Sequence, residues 1–233
     1  MDISAHHSIS INEQYFGQEQ APILVVDNFV KDPEALVADA KKCQYVKNSP
    51  FYPGPRAPAP LAYQELILRT LKEKMVDFFQ VPTPNLKFSI CHYSVITTPP
   101  DQLKLLQRIP HFDSLNENGL AAVHYLFKED LGGTSFYRHK KTGFESINEA
   151  RHITYLRSLE AENDGPNIPK ISDGYINGNT PLFERISQQQ AVFNRIIIYR
   201  RNSLHSGSIP ADLFDNTSQS KIRLTISSFI DCE

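Results

Sequence analysis

Hydrophobic positions in the first third of the chain follow two periods, one typical of a strand and one typical of helices. The apolar run PILVVDNFV at 22–30 predicts a buried strand that ends in a polar turn. A helix is expected next, because Asp32 suits its N-cap and Pro33 suits its first turn. Residues 62–79 return to helical spacing with a broad apolar face. The sequence therefore predicts a helical N-terminal support over residues 1–85.

A proline-rich stretch separates the two predicted helices. Residues 49–60, SPFYPGPRAPAP, contain five prolines. Proline lacks the backbone N–H that helices and inner strands use, so this stretch is expected to be an extended loop.

From residue 86 the pattern changes to short strands separated by Gly, Asn and Pro turns, which favours an antiparallel sandwich or barrel. These strand segments are LKFSICHYSVIT (86–97), AAVHYLF (121–127), GTSFYRH (133–139), AVFNRIIIYR (191–200) and RLTISSFI (223–230). Residues 147–162 predict a helix and 163–180 a loop, so about 145–180 is interpreted as an insertion into a β core over 86–230. The expected fold class is mainly β with flanking helices (α+β), in a single domain of residues 1–233.

Composition narrows the possible functions. The 233 residues carry 24 Lys and Arg against 26 Asp and Glu, a formal net charge of -2, which gives no basic footprint for nucleic acid. No apolar run approaches the ~20 residues that a membrane span needs, and the first residues lack the pattern of a secretory signal. Cys43, Cys91 and Cys232 are odd in number and far apart, which fits a reducing compartment. We expect a cytoplasmic protein without a nucleic-acid or membrane partner.

The stretch RIPHFDS at 108–114 contains a candidate metal motif. If the backbone is extended there, His111 and Asp113 point to the same side. Two histidines and one carboxylate with open positions are the ligand set of non-haem Fe(II) oxygenases, so a third ligand is required. His205 is the candidate, because it follows the most apolar predicted strand and precedes Gly207. By itself, a His-x-Asp tripeptide is more often structural or incidental.

With an Arg-x-Thr at 223–225, these residues resemble a known family. Over roughly residues 86–230 the chain is similar to the Fe(II)/2-oxoglutarate-dependent oxygenases, especially the prolyl-4-hydroxylase-like branch of the double-stranded β-helix superfamily. NENGLAAVHYLF resembles the strand that follows His-x-Asp in that branch, and DLGGTSFYRHKKTG resembles its next strand. The front end, with DNFVKDPEALVADA and YPGPRAPAP, resembles uncharacterised bacterial members.

The resemblance implies a double-stranded β-helix (jelly-roll or cupin-like) core and a dioxygenase that uses Fe(II), 2-oxoglutarate and O2. His111, Asp113 and His205 would be the metal ligands and catalytic residues. The far carboxylate of 2-oxoglutarate would bind Arg223, whose planar charged fork suits a carboxylate. The co-substrate site would also include Tyr125, Thr225 and, from its strand position, Tyr93. The step from His205 to Arg223 is longer than is usual in the family, which leaves Lys221 as a rival anchor.

Two other classes of function stay open at this point. One is a cupin-type metal-binding protein or enzyme that does not use 2-oxoglutarate, and the other is a non-catalytic binding module of the same fold. The substrate of an oxygenase, most simply hydroxylated at a C–H bond, would be a small molecule or a peptide. The sequence does not identify it. The proline-rich loop and the insertion at 145–180 are candidate lids over the site.

Overall fold

Antiparallel strands dominate the part of the chain that the computed structural model describes, residues 3–47, 49–163, 165–214 and 221–232. The strands are β1 (Ser10–Phe16), β2 (Ala21–Asp27), β3 (Arg56–Pro58), β4 (Leu86–Val95), β5 (Leu120–Tyr125), β6 (Thr134–His139), β7 (Phe183–Gln189), β8 (Ile196–Arg200), β9 (His205–Gly207) and β10 (Leu224–Cys232). The α-helices are α1 (Pro33–Ala40), α2 (Leu61–Phe79) and α3 (Glu149–Asn163). A mainly β protein with flanking helices is therefore confirmed.

The strands form two sheets. The large sheet has seven strands in the order β1-β2-β8-β5-β10-β4-β3, and the small sheet has three in the order β7-β6-β9. Successive side chains on each strand point to opposite faces, so the large sheet has two buried faces of different character. We call them the helix face, which packs against α1 and α2, and the inner face, which looks toward the small sheet.

The helix face carries the larger hydrophobic core. The apolar stripe of α2, including Leu66, Ile67 and Leu71, packs against β2, β8 and β10, for example at Leu24 and Ile226. Each fully buried side chain of this size contributes about 1.5–3 kcal/mol relative to an exposed one. The helix is thus fixed to the sheet by the periodicity that its sequence shows.

Helix α1 begins as the sequence predicts. The carboxylate of Asp32 accepts a hydrogen bond from the backbone N–H of Ala35 at 3.1 Å, and Pro33 occupies the first turn. Helix α3 lies in the predicted insertion and packs on the outer side of the small sheet, where Tyr155 contacts the cluster around Tyr137 and Phe183. Within the described ranges, every helix is too short or too polar to cross a bilayer.

Four strands lie outside the predicted strand segments: β1, β3, β7 and β9. Strand β1 is a polar edge strand with mostly exposed side chains, so it lacks the hydrophobic alternation that identifies a strand. Strand β3 lies inside the proline-rich loop, where its position at the sheet edge tolerates Pro58. The segment 1–85 is thus more than a helical support, because it also contributes three strands to the large sheet.

Candidate functional site

Three potential metal ligands converge where the two sheets approach each other. His111 and His205 exchange backbone hydrogen bonds, each 2.9 Å, and the N–H of Asp113 donates to the carbonyl of Arg201 at 2.8 Å. His111 Nε2 lies 3.8 Å from Asp113 Oδ1, and His205 Nε2 lies 3.5 Å from Asp113 Oδ2. The three candidate ligand atoms all lie within 4.8 Å of one another. The structure therefore brings together the residues that the sequence nominated.

The position of His205 differs in one respect from the sequence expectation. It does not extend β8, because the chain turns after Arg200 and His205 begins β9 in the small sheet, opposite Phe136. The histidine ring packs against Tyr199 and Phe136, with centroid separations of 4.9 and 6.4 Å. The ligand is thus held by both sheets.

Both histidines can direct a ring nitrogen at the carboxylate of Asp113. His205 Nδ1 donates to the carbonyl of Ser203 at 2.9 Å, so its Nε2 keeps the lone pair that a metal needs. Desolvation by the surrounding protein, followed by the charge of His205, lowers the pKa of His111 to about 4, although its side chain is 52% exposed. At neutral pH His111 is therefore a neutral imidazole that can offer a ring nitrogen to a metal.

Arg223 is buried between the two sheets with an incomplete set of partners, and its Nη2 would lie 4.0 Å from a Cβ at Gly207, two residues after His205. We call the region between the sheets that Arg223 and the three candidate ligands border the cavity. Its Nε donates to the carbonyl of Leu131 at 3.1 Å and its Nη2 to that of Gly133 at 2.8 Å. Its Nη1 has no acceptor, and the guanidinium has no acidic partner, among the described residues. Burial lowers the pKa of Arg223, while the neighbouring hydroxyls of Tyr125, Tyr52 and Tyr175 raise it. A buried arginine that lacks an acid is suited to bind an anion.

A row of polar side chains crosses the inner face beside Arg223. The strand registers pair Arg56 with Ser94, Ser94 with Thr225, and Thr225 with Tyr125. Directly opposed residues point to the same face, so all four face the cavity. The hydroxyl of Tyr125 lies 2.8 Å from that of Thr134, and Thr225 Oγ1 donates to the carbonyl of Ser94 at 3.4 Å. The structure thus groups Tyr125 and Thr225 with Arg223, as the sequence predicts.

The predicted role of Tyr93 is wrong. Tyr93 belongs to the helix-face core, and its hydroxyl donates to the carboxylate of Asp39 at 3.1 Å. The reason is the alternation of the strand: its neighbours His92 and Ser94 point to the inner face, so Tyr93 points away from it.

The rival anchor Lys221 lies in different surroundings from Arg223. Its ammonium group is 3.4 Å from the carboxylate of Asp212 at the protein surface, and the guanidinium of Arg223 occupies the cavity. The long connection from His205 includes residues 215–220, which lie outside the described residues.

Two further residues of the cavity were missed by sequence reasoning, Tyr52 and Arg56 of the proline-rich loop. The hydroxyl of Tyr52 is buried next to Ser94 and Thr225, but no group meets it in hydrogen-bond geometry. Burial raises the pKa of Tyr52, although the charges of Arg223 and Arg56, followed by the hydroxyls of Ser94 and Thr225, lower it. The guanidinium of Arg56 stacks 4.0 Å above the ring of Tyr52, and its Nε is also buried without a partner. The prolines around YPGPR are the available signal, because they fix the backbone that presents both side chains.

The loop is held tightly against β4. The N–H of Val95 donates to the carbonyl of Pro55 at 3.3 Å, and the N–H of Thr97 donates to that of Pro53 at 3.1 Å. A Cβ at Gly54 would lie 1.9 Å from the carbonyl oxygen of Val95, so only glycine permits this approach. The loop is therefore a fixed wall of the cavity.

Comparison with known proteins places this chain in an uncharacterised family. The model of a family of unknown function (DUF6445) matches residues 7–230. No curated protein matches the chain significantly.

Solved structures share its fold at low identity. HygX from Streptomyces hygroscopicus, solved with nickel and 2-oxoglutarate bound, is 14% identical over 91% of this chain and 83% of its own, with a TM-score of 0.50. SnoK, a non-haem α-ketoglutarate-dependent carbocyclase from nogalamycin biosynthesis, is 10% identical over 91% and 80%, also with a TM-score of 0.50. The predicted double-stranded β-helix core is thereby confirmed.

Proposed function

This chain belongs to the DUF6445 family, and we propose that it is a non-haem Fe(II)- and 2-oxoglutarate-dependent dioxygenase that hydroxylates a C–H bond of its substrate. One observation carries the proposal. The cluster of His111, Asp113 and His205 shares one cavity of a double-stranded β-helix with Arg223, a buried arginine that has no acidic partner among the described residues. Membership of the prolyl-4-hydroxylase-like branch remains a prediction.

The donor set suits Fe(II). Imidazole nitrogen and carboxylate oxygen are ligands that iron accepts, and two histidines with one carboxylate leave coordination positions open. His111, Asp113 and His205 would be the protein ligands. The hydrogen bond from His205 Nδ1 to Ser203 orients that ring, as is usual for a metal-bound histidine.

The unpartnered groups of the cavity suit 2-oxoglutarate. Arg223 Nη1 and the buried hydroxyl of Tyr52 both lack a protein partner among the described residues, and the Tyr52 hydroxyl lies beside Thr225. A carboxylate bound there would complete their hydrogen bonds and neutralise Arg223. The shared fold with HygX, whose structure holds nickel and 2-oxoglutarate, is consistent with this ligand.

The protein would contribute position and charge to the reaction. The chemistry that Fe(II), 2-oxoglutarate and O2 supply when bound is oxidation of the substrate, with release of succinate and CO2. Arg223, Thr225 and Tyr125 would hold the far end of 2-oxoglutarate so that its keto acid end faces His111, Asp113 and His205. The surrounding apolar rings of Phe127, Phe136 and Tyr199 limit the access of water to this end of the cavity.

A cytoplasmic location is part of the proposal. Cys43, Cys91 and Cys232 are all free thiols in the structure, which fits a reducing environment.

Calorimetry with Mn(II) in place of Fe(II) tests the proposal without turnover. We expect 2-oxoglutarate to bind the metal-loaded chain at one site and to bind the metal-free chain at least about tenfold more weakly, since it would lose its metal contacts. Glutarate, which lacks the keto oxygen, is the control and should bind equally weakly with and without metal. Tight metal binding with no affinity for 2-oxoglutarate would instead favour a cupin-type protein that does not use it.

A further inference from the structure

The guanidinium of Arg56 is an unpaired charge in the candidate active site. No ion pair and no hydrogen bond of its side chain is formed within the described part of the chain, and its Nε is buried without a partner. Burial lowers the pKa of Arg56, and the nearby Tyr52 and Asp113 raise it. Other cavity-lining groups do not need this charge, because Asp113 is already directed at the two histidines. Arg56 is thus available to a ligand.

Arg56 and Arg223 occupy different parts of the cavity. Arg223 is 5% exposed and contacts the small-sheet connection at Leu131 and Gly133. Arg56 lies on the edge strand β3, is only partly buried, and is near the two metal-ligand candidates His111 and Asp113. Tyr52 is near both arginines: the guanidinium of Arg56 stacks on its ring, and the charge of Arg223 opposes the rise that burial causes in its pKa. A second ligand could reach Arg56 from solvent while 2-oxoglutarate occupied Arg223.

Charge balance indicates what that ligand carries. A divalent metal, Arg223 and Arg56 supply four positive charges, whereas Asp113 and the two carboxylates of 2-oxoglutarate supply three negative ones. One positive charge is left on the half-buried guanidinium of Arg56, where the lack of a partner is costly. A single carboxylate restores neutrality and matches the planar fork of an arginine, whereas a phosphate monoester carries about 1.5 to 2 negative charges and would overcompensate.

We propose that Arg56 binds a carboxylate group of the primary substrate, so that the enzyme oxidises a carboxylic acid close to its acid group. This inference rests on the proposed function, because it takes 2-oxoglutarate to occupy Arg223. Tyr52 acts as a positioning residue whose ring fixes the plane of the guanidinium. The prolines of the loop hold both side chains in place before substrate arrives.

Fluorine NMR with a minimal probe tests the proposal without knowledge of the substrate. The full chain is loaded with Co(II) and saturated with 2-oxoglutarate, and trifluoroacetate is titrated while its paramagnetic relaxation is measured. Trifluoroacetamide, of the same shape but uncharged, is the control probe. We expect saturable relaxation by trifluoroacetate alone, and we expect Arg56→Met to weaken its binding about tenfold, as the loss of a charged hydrogen bond does.

The control variant is Arg185→Met, which removes an arginine that bonds Asn177 outside the cavity and should leave the probe's Kd unchanged. Arg56→Gln, which keeps a polar side chain, should reproduce the loss if Arg56→Met does not fold. Equal relaxation by both probes, or an unchanged Kd in the Arg56 variants, would overturn the inference. So would a rise in the 2-oxoglutarate Kd as large as that of Arg223→Leu, since Arg56 would then hold the co-substrate.

Failure of the underlying function would look different. If the wild-type chain binds neither Co(II) nor 2-oxoglutarate, the proposed oxygenase is wrong before any probe is added. If both bind and the probe does not, only the carboxylate assignment to Arg56 fails.

Discussion

The two faces of the large sheet differ in whether their buried polar groups have hydrogen-bond partners within the protein. On the helix face, the hydroxyl of Tyr63 lies 3.1 Å from His124 Nδ1, and His124 Nε2 lies 3.2 Å from Asn194 Oδ1. Asn194 also bonds the backbone of Val30 through both its amide atoms. Because the amide oxygen accepts, His124 Nε2 donates and Nδ1 accepts from Tyr63. The network is complete within the protein.

On the inner face, the corresponding groups are left open. Tyr52 Oη, Arg56 Nε and His92 Nδ1 are buried without partners, and Arg223 Nη1 has no acceptor among the described residues. Native proteins rarely leave buried polar atoms unpaired, so a cluster of them needs an explanation. The same β-sheet therefore supports a core with satisfied polar groups on one side and, on the other, a cavity whose polar groups are available to a ligand.

The largest effect is expected at the three candidate metal ligands, which lie where the inner face meets the small sheet. Asp113→Ala should weaken Fe(II) binding about a thousandfold, more than the 10–100-fold lost when only an outer partner of a ligand is removed. The melting temperature should change little, because the side chain of Asp113 bonds no part of the core. Metal titration and thermal melting check this, and wild-type metal affinity in the variant would remove Asp113 from the ligand set.

The next largest effect is expected on protein stability, through the hydrogen-bond network of Tyr63, His124 and Asn194 on the helix face. Burial lowers the pKa of His124 to about 4, although Asn194 raises it, so the folded protein binds its proton less readily than the unfolded chain. Stability from the neutral ring is complete above the unfolded value near 6.5 and is lost as the pH falls toward 4, by about 3 kcal/mol.

The urea midpoint at pH 7 and pH 4.5 measures this loss. His124→Asn should reduce the pH dependence, whereas His7→Asn, at an exposed position, should retain it. An identical pH dependence in His124→Asn and wild type would contradict the assignment of His124.

A smaller effect, on the affinity for 2-oxoglutarate, distinguishes the two candidate anchors Arg223 and Lys221. Arg223→Leu should raise the 2-oxoglutarate Kd of metal-loaded protein about 30-fold, the loss expected for hydrogen bonds between charged groups. Lys221→Leu should leave that Kd within about twofold, because Lys221 pairs with Asp212 at the surface. Calorimetry distinguishes the two, and the reverse pattern would assign the anchor to Lys221.

The smallest effects come from a matched pair of tyrosines. Tyr93→Phe removes a satisfied hydroxyl and should lower the free energy of unfolding by about 1 kcal/mol without changing the 2-oxoglutarate Kd. Tyr52→Phe removes an unpaired hydroxyl, so it should not destabilise the free protein, but it should raise that Kd about fivefold. If both variants lost stability alike, the contrast between the two faces would not hold.

The sequence predicted the inner strands of the large sheet better than its edge strands. Strands β5 and β10 could be predicted because apolar side chains on both of their faces are buried in different cores, and β4 because its helix face is apolar. Strand β1 was missed because an exposed edge strand needs no apolar side chains. Helix α2 could be predicted from its apolar face, and helix α1 could be predicted from its capping residues.

At the site, the sequence predicted the residues that belong to recognisable motifs. It did not predict the residues that reach the site only through the pairing of strands. His111, Asp113 and His205 come together through one antiparallel bridge between distant segments, an arrangement that the resemblance supplied. Tyr93 was assigned to the wrong face of β4. Side chains alternate along a strand, and the sequence alone does not show which of the two sets faces the cavity. Arg56 reaches the site only through the register of β3 on β4, which five prolines conceal in the sequence.

An anaerobic visible spectrum of the metal-free chain, recorded after addition of Fe(II) and then of 2-oxoglutarate, tests the proposed oxygenase site most directly. We expect a weak charge-transfer band that needs both additions, because the keto acid would chelate iron held by His111, Asp113 and His205. No band, with iron bound all the same, would contradict the 2-oxoglutarate site. No iron binding would mean that the three residues do not form a metal centre.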